Sequence, residues 1–227
     1  MKLLLVVLAI ATVAFASNGV DLSTLATVEN FQCLVDTQNV TFVVLRGYRS
    51  FGSLDPNIKA NLKNAQDAGI FFTDVYLFPC RGKSPVDQAN ELIDHLSDVD
   101  YNYIWVDVET NSSPGCSWAA STAEENCNFL EQMVNQISKR GRAPGIYASS
   151  YMWTQIMGSA SACPKFKALP IWYPHYDKTQ TFNDFTPFGG WTKPNYKQYQ
   201  GTTNVCGVGV DLNWYPQCSG EECLQKK

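Results

Sequence analysis

Histidine is nearly absent from this chain: 227 residues include two, His95 and His175, far apart in the sequence. Eight cysteines occur without a Cys-x-x-Cys pair, so the ligand spacings of a zinc site are missing and no metal is expected. Charge is sparse too. Seventeen Lys and Arg stand against 21 Asp and Glu, a net charge of −4 with no basic stripe, which argues against nucleic acid as a partner. No second long apolar run follows the first residues, so no membrane span is expected. Repeats, linkers and low-complexity segments are also missing, which points to one domain, expected to be monomeric and free of cofactors.

The beginning of the chain is distinctive. Met1-Lys2 gives a short basic start, Leu3 to Phe15 an apolar run, and Ala14-Phe15-Ala16 the small residues that a signal peptidase cuts after. Residues 1–16 are therefore expected to be a leader, and 17–227 an exported domain of about 210 residues, enough for a full core. Eight cysteines in an exported chain point to disulfides, although eight allow 105 pairings. Asn39-Val40-Thr41 and Asn111-Ser112-Ser113 are glycosylation acceptors where exposed.

Strands and helices alternate along most of the sequence. Strands are predicted at 19–22, 41–48, 70–78, 103–109, 144–147, 169–173, 196–200 and 208–211. Between the early ones lie helical patterns: 24–36 after Ser23, 58–68 after Asp55-Pro56, 84–96 after Ser84-Pro85, and one from Ser121 or Thr122 to Lys139. The C-terminal third has fewer convincing helices. Such alternation implies a parallel sheet, and about eight strands in one domain imply a closed, irregular β/α barrel of the TIM-like kind.

Asp107 and Glu109 lie two apart at the end of the apolar strand Tyr103-Ile104-Trp105-Val106, so both point the same way. Carboxylates there are costly to bury without partners or a task. Close like charges also separate their pKa values, leaving one acid protonated and its neighbour ionised. That is the equipment of glycoside hydrolysis. Asp21 and Asp211, also near strand ends, would bring four acids to one mouth. Read singly, Asp21 and Asp211 are equally turn residues, and Tyr147, Trp172 and Tyr176 ordinary core aromatics.

Gly19-Val20-Asp21-Leu22-Ser23, Asp107-Val108-Glu109, Pro144-Gly145-Ile146-Tyr147 and Val210-Asp211-Leu212-Asn213 occur in one order. That ordered set resembles glycoside hydrolase family 25, the Chalaropsis-type muramidases. Gln198-Tyr199 fits the family's Trp-Gln-Tyr with Lys197 in the Trp position, and Trp172 with Tyr176 fits its Trp-x-x-x-Tyr. The resemblance implies hydrolysis of the β-1,4 bond between N-acetylmuramic acid and N-acetylglucosamine in bacterial peptidoglycan. It implies Glu109 as proton donor and Asp107 as the acid that steers the substrate's acetamido group. Asp21 and Asp211 would complete the cluster, with Tyr147, Trp172, Tyr176, Tyr76 and Gln198 as substrate contacts. Two segments depart from the family. Tyr76-Leu77-Phe78 replaces Tyr-His-Phe, and Gly47-Tyr48-Arg49-Ser50 lacks an acid the family often carries there. The extra cysteines resemble the secreted eukaryotic branch.

Two rival readings remain at this level. An acetamido-assisted chitinase resembles Asp-x-Asp-x-Glu, but Trp105 stands where its first Asp belongs. An inactive glycan-binding homologue would keep the acidic mouth only to hold sugar. The disulfides are expected to fasten loops and the C-terminal tail, with Cys218 or Cys223 pairing to Cys33 on the first helix. The expected setting is secretion, or the lumen of a phagosomal or digestive compartment.

Overall fold

Alternation within each apolar run decides which side chains face the barrel axis and which face the helices. A computed structural model describes residues 16–216. In chain order the elements are β1 (Ala16–Leu22), α1 (Val28–Gln38), β2 (Val40–Arg49), β3 (Ser53–Leu54), α2 (Ile58–Asp67), β4 (Phe72–Leu77) and α3 (Pro85–His95). They continue with β5 (Tyr103–Asp107), α4 (Ala123–Lys139), β6 (Ala143–Tyr147), α5 (Ser150–Met157), β7 (Ile171–Pro174), β8 (Tyr196–Val205) and β9 (Val208–Pro216). The sheet runs β1-β9-β8-β7-β6-β5-β4-β2, and a parallel β1–β2 ladder closes it into a barrel with β3 hanging from β2. The TIM-like barrel expected from the sequence is present.

One expectation needs correcting. The sheet is mixed: β9 runs antiparallel to both β8 and β1. Asp211 therefore lies near the start of its strand, not at the end. It still reaches the same mouth of the barrel as Asp21 and Asp107, because the reversed strand presents its N-terminal end where the parallel strands present their C-terminal ends.

The interior of the barrel is aromatic. Phe42, Val44, Trp105, Tyr147 and Trp172 form one buried cluster, joined by Tyr76, Tyr103, Tyr196 and Tyr215. Val43, Leu45, Ile104, Val106, Ile146 and Ile171 point the other way, into the core beneath the helices. Two glycines make room for the rings. A Cβ on Gly19 would meet the Phe42 ring at 2.3 Å, and one on Gly145 would meet Trp105 at 2.5 Å. Trp105 is fully buried, and its indole N–H donates to Asp74 Oδ2 at 2.9 Å. Truncating a ring of this size to Ala costs about 3–5 kcal/mol.

Local chemistry sets the helix boundaries. The first helix starts at Val28, not after Ser23, because Thr27 and Asn30 form a reciprocal capping box that satisfies two N–H groups. Asp55-Pro56 leads into α2 as predicted, but Asp55 is drawn into an ion pair with Arg46 at 2.7 Å and Asn57 takes the cap position. Ser84 with Pro85 opens α3, and Thr122 with Glu125 boxes the start of α4. The short helix α5, capped by Ser149, was not expected from the sequence.

Three disulfides join described residues: Cys33–Cys206, Cys80–Cys116 and Cys127–Cys163. None lies on a strand, as expected. Cys33 pairs with the tip of the β8–β9 hairpin and not with a tail cysteine, because that hairpin lies against α1: Asn30 Nδ2 donates to Cys206 O at 2.8 Å. Cys218 and Cys223, like residues 1–15 of the expected 1–16 leader, fall outside the described residues. Asn111 is a poor glycan acceptor. It is buried, and its amide donates to Ser50 O at 2.7 Å and Pro79 O at 3.1 Å. No helix among the described residues is long and apolar enough to cross a membrane.

Candidate active site

The inward-facing positions at the top of each strand are polar where the lower ones are aromatic. They surround a cleft of about 430 Å³. Asp21 from β1, Tyr76 from β4, Asp107 from β5, Tyr147 from β6, Trp172 from β7, Gln198 from β8 and Asp211 from β9 all line it. Glu109, two residues past Asp107 in the loop after β5, and Tyr176, in the loop after β7, complete the wall. All nine residues nominated from the sequence thus share one cleft.

Gln198 is the hub. Its amide nitrogen donates to Asp21 Oδ1 at 2.7 Å and to Asp211 Oδ2 at 3.2 Å. Its carbonyl oxygen accepts from Tyr147 at 2.6 Å and Tyr176 at 2.8 Å. Asn213, quoted in the sequence motif without a role, donates to Asp21 Oδ1 at 2.7 Å and receives the Trp172 indole N–H at 2.8 Å. Thr202 N–H holds Asp211 Oδ1 at 2.6 Å. Asp107 is different. It is buried, and its Oδ1 has no hydrogen-bond partner.

Burial raises all four acids, and repulsion from a neighbouring acid adds to it at Asp21, Asp107 and Glu109. Asp21 is pushed up to about 8, first by burial and then by Asp211, against the donations from Asn213 and Gln198. Burial, then Glu109 and Asp21, raises Asp107 well above the carboxylate range. Burial and then the charge of Asp211 raise Glu109, and burial raises Asp211 against its Thr202 bond. Protons therefore stay on the cluster under conditions where free carboxyls have lost them.

Lys197 explains itself once alternation is considered. Its neighbour Gln198 faces the cleft, so Lys197 faces outward into the protein, fully buried, with Nζ 2.9 Å from Asp177 and 3.0 Å from Asp184. Asp184 also accepts from the Tyr173 hydroxyl at 3.0 Å and pairs with His175 Nδ1. The ammonium thus ties down the loop that carries Tyr176. His175, Asp177 and Asp184 lie close enough together to offer ligands to a metal ion, but Lys197 already pairs with both acids.

Sequence reasoning missed Arg46, Arg49, Ser50, Phe51 and Phe78, which form the flank of the cleft above β2 and β4. Gly47-Tyr48-Arg49-Ser50 registered as the loss of an acid; the signal it also carried was the gain of a cation.

Comparison with known proteins agrees with this geometry. The family model described as Lysozyme-like protein 1 matches residues 12–199. A protein named probable GH family 25 lysozyme 2, from Dictyostelium discoideum, is 39% identical over 217 residues, covering 94% of this chain and 98% of the relative. Among solved structures, a bacterial lysozyme from Streptomyces coelicolor superposes with a TM-score of 0.73 at 22% identity, over 92% of this chain and 95% of that one. A family GH25 lysozyme from Aspergillus fumigatus gives a TM-score of 0.72 at 18% identity, over 93% and 98%. Those two structures speak to the fold, and the sequence relatives speak to descent. A closed barrel with an acidic mouth, matched along nearly its whole length by such relatives, places this chain in glycoside hydrolase family 25, the lysozymes.

Proposed function

We propose that this enzyme is an N-acetylmuramidase that cuts the β-1,4 bond between N-acetylmuramic acid and N-acetylglucosamine in bacterial peptidoglycan. The observation that carries the proposal is the pairing in one cleft of Glu109, partly exposed at the mouth, with Asp107, buried below it. Glu109 donates its proton to the glycosidic oxygen as the C1–O bond breaks. The acetamido carbonyl oxygen of the same sugar attacks C1 and forms a cyclic cation. Asp107 accepts the acetamido N–H on its cleft-facing carboxylate oxygen and stabilises the positive charge. This contact draws negative charge onto Asp107 and leaves the shared proton on Glu109. Glu109, now a carboxylate, takes a proton from water, whose oxygen attacks C1 and reopens the ring. The charge of Asp211, which Gln198 fixes beside Asp21, helps to keep the donor protonated.

The three disulfides support an oxidising compartment, in line with a leader cleaved after Ala16 and export of the remainder. The N-terminus of the exported protein should read Ser17. The test of function is loss of turbidity from a bacterial wall suspension beside release of sugar from chitin. Wall clearing by wild type and none by Glu109→Gln supports the proposal. Release from chitin alone would make the enzyme a chitinase, and binding without release would make it a glycan-binding homologue.

A further inference from the structure

A cleft built around four carboxyl groups repels an acidic substrate, and N-acetylmuramic acid differs from N-acetylglucosamine by a lactyl ether ending in a carboxyl. Two cations line this cleft among the described residues, and they are not equivalent. Arg46 is consumed: Nε donates to Asp55 Oδ2 at 2.7 Å and a terminal nitrogen donates to Ser23 O at 2.8 Å. Arg49 is not. Its Nε lies 3.6 Å from the same Asp55 oxygen that Arg46 already occupies, and that buried nitrogen has no hydrogen-bond partner. The side chain is 29% exposed, with its guanidinium carbon 5.6 Å from the centre of the half-exposed Phe51 ring.

The turn that presents Arg49 is held rigidly. Gly52 N–H donates to Arg49 O at 2.8 Å, and Asn111 donates to Ser50 O at 2.7 Å. Ser50 and Ser113 hydroxyls meet at 3.0 Å, and Lys83 caps Gly52 O. A permanently charged planar fork, fixed at the wall of a cleft and short of partners, is suited to a carboxylate.

We infer that Arg49 is a specificity-determining residue of the cleft, binding a substrate carboxylate and so selecting muramyl glycan over neutral N-acetylglucosamine polymers. The inference deepens the muramidase reading and rests on it. That carboxylate is supplied either by the lactyl group itself or, where the lactyl group is amide-linked, by the attached stem peptide.

Binding separates the possibilities without relying on turnover. In a Glu109→Gln background, calorimetry would compare three tetrasaccharides of alternating N-acetylglucosamine and N-acetylmuramic acid. One carries free lactyl carboxylates, one their methyl esters, and one a lactyl-linked dipeptide with a free terminal carboxylate. The expected result is tighter binding of at least one acidic ligand over the ester, by about tenfold, as for hydrogen bonds to charged groups. Arg49→Gln should bring that preference close to one, and Arg49→Lys should keep part of it. Dependence with the first ligand assigns the lactyl group; dependence with the dipeptide ligand alone assigns the stem. Should Arg49→Gln fail to fold, salt titration of the parent serves instead, and the preference must shrink as salt rises. A preference that is absent, or that survives Arg49→Gln or high salt, overturns the inference. Wall clearing by the wild type judges the muramidase reading separately, so either proposal can fall alone.

Discussion

Asp21 and Asp211 are register partners across the antiparallel ladder of β1 and β9, and a single amide, that of Gln198, donates to both. Two acids from opposite ends of the chain are thereby fixed side by side in a buried mouth. The arrangement stores repulsion that folding must overcome, and its effects are measurable.

Asp21→Asn should stabilise the protein in neutral and mildly alkaline solution. The folded carboxyl is raised to about 8 from 3.8, so the folded state holds this proton more tightly than the unfolded chain. Stability from this group is complete below about pH 4 and is lost as pH rises towards 8. An asparagine keeps the oxygen that accepts from Gln198 and Asn213 but never ionises. Melting temperature should rise by roughly 4–8 °C at pH 8, on a gain of about 2 kcal/mol, with the gap closing by pH 4. Equal melting of the two proteins at pH 8 would contradict this.

Glu109→Gln should lose at least about 10²–10⁴ in wall-hydrolysis rate, the usual contribution of a general acid, while its circular dichroism stays that of the wild type. The amide keeps the volume and has no proton to give. Near-normal turnover by the folded variant would remove Glu109 from its proposed role.

Asp107→Asn should be almost as damaging, since its carboxylate is the group proposed to take the acetamido N–H and the developing charge. A comparison of rates on soluble glycan, followed by new reducing ends, would settle it. An unchanged rate would mean that the Asp107 carboxylate does no chemistry.

The pH profile should peak below neutrality, because burial and then Asp211 hold the Glu109 proton against loss. Removing that charge with Asp211→Asn eases ionisation of Glu109, so the alkaline limb should move to lower pH. The direction is the test: a limb that stays put, or moves up, would show that Asp211 does not act on Glu109. In the wild type, added salt at pH 7 should help by screening repulsion between an anionic wall and a protein of net charge −4.

Replacing Cys33 and Cys206 together with serine should destabilise the fold by about 3–5 kcal/mol, since the bond closes a long loop in the unfolded chain. Urea denaturation measures the loss. Peptide mapping without reduction should return Cys33–Cys206, Cys80–Cys116 and Cys127–Cys163.

Much of this was legible because period-two alternation is a strong signal. Val106 and Val108 are buried in the core while Asp107 and Glu109 line the cleft, as spacing alone requires. Strand direction left no such trace. The run around Asp211 reads alike in either orientation, and only pairing with β8 and β1 reveals that it is reversed. Helix α1 began later than expected because Ser23, Thr24 and Thr27 are all acceptable caps, and reciprocal bonding to Asn30 chose among them. Asp74 escaped notice because the Trp105 indole that it holds comes from the next strand. Arg49 escaped because its significance lies in partners it lacks.

The Cys33–Cys206 bond also changes what a protease can do. It spans 173 positions and turns nearly the whole barrel into one covalent ring. A single cut anywhere between those cysteines opens the ring without freeing a fragment, and the ladders from β1 to β9 continue to hold the pieces in place. Backbone scission and loss of the barrel are thus separate events, and an enzyme built this way survives its first nick.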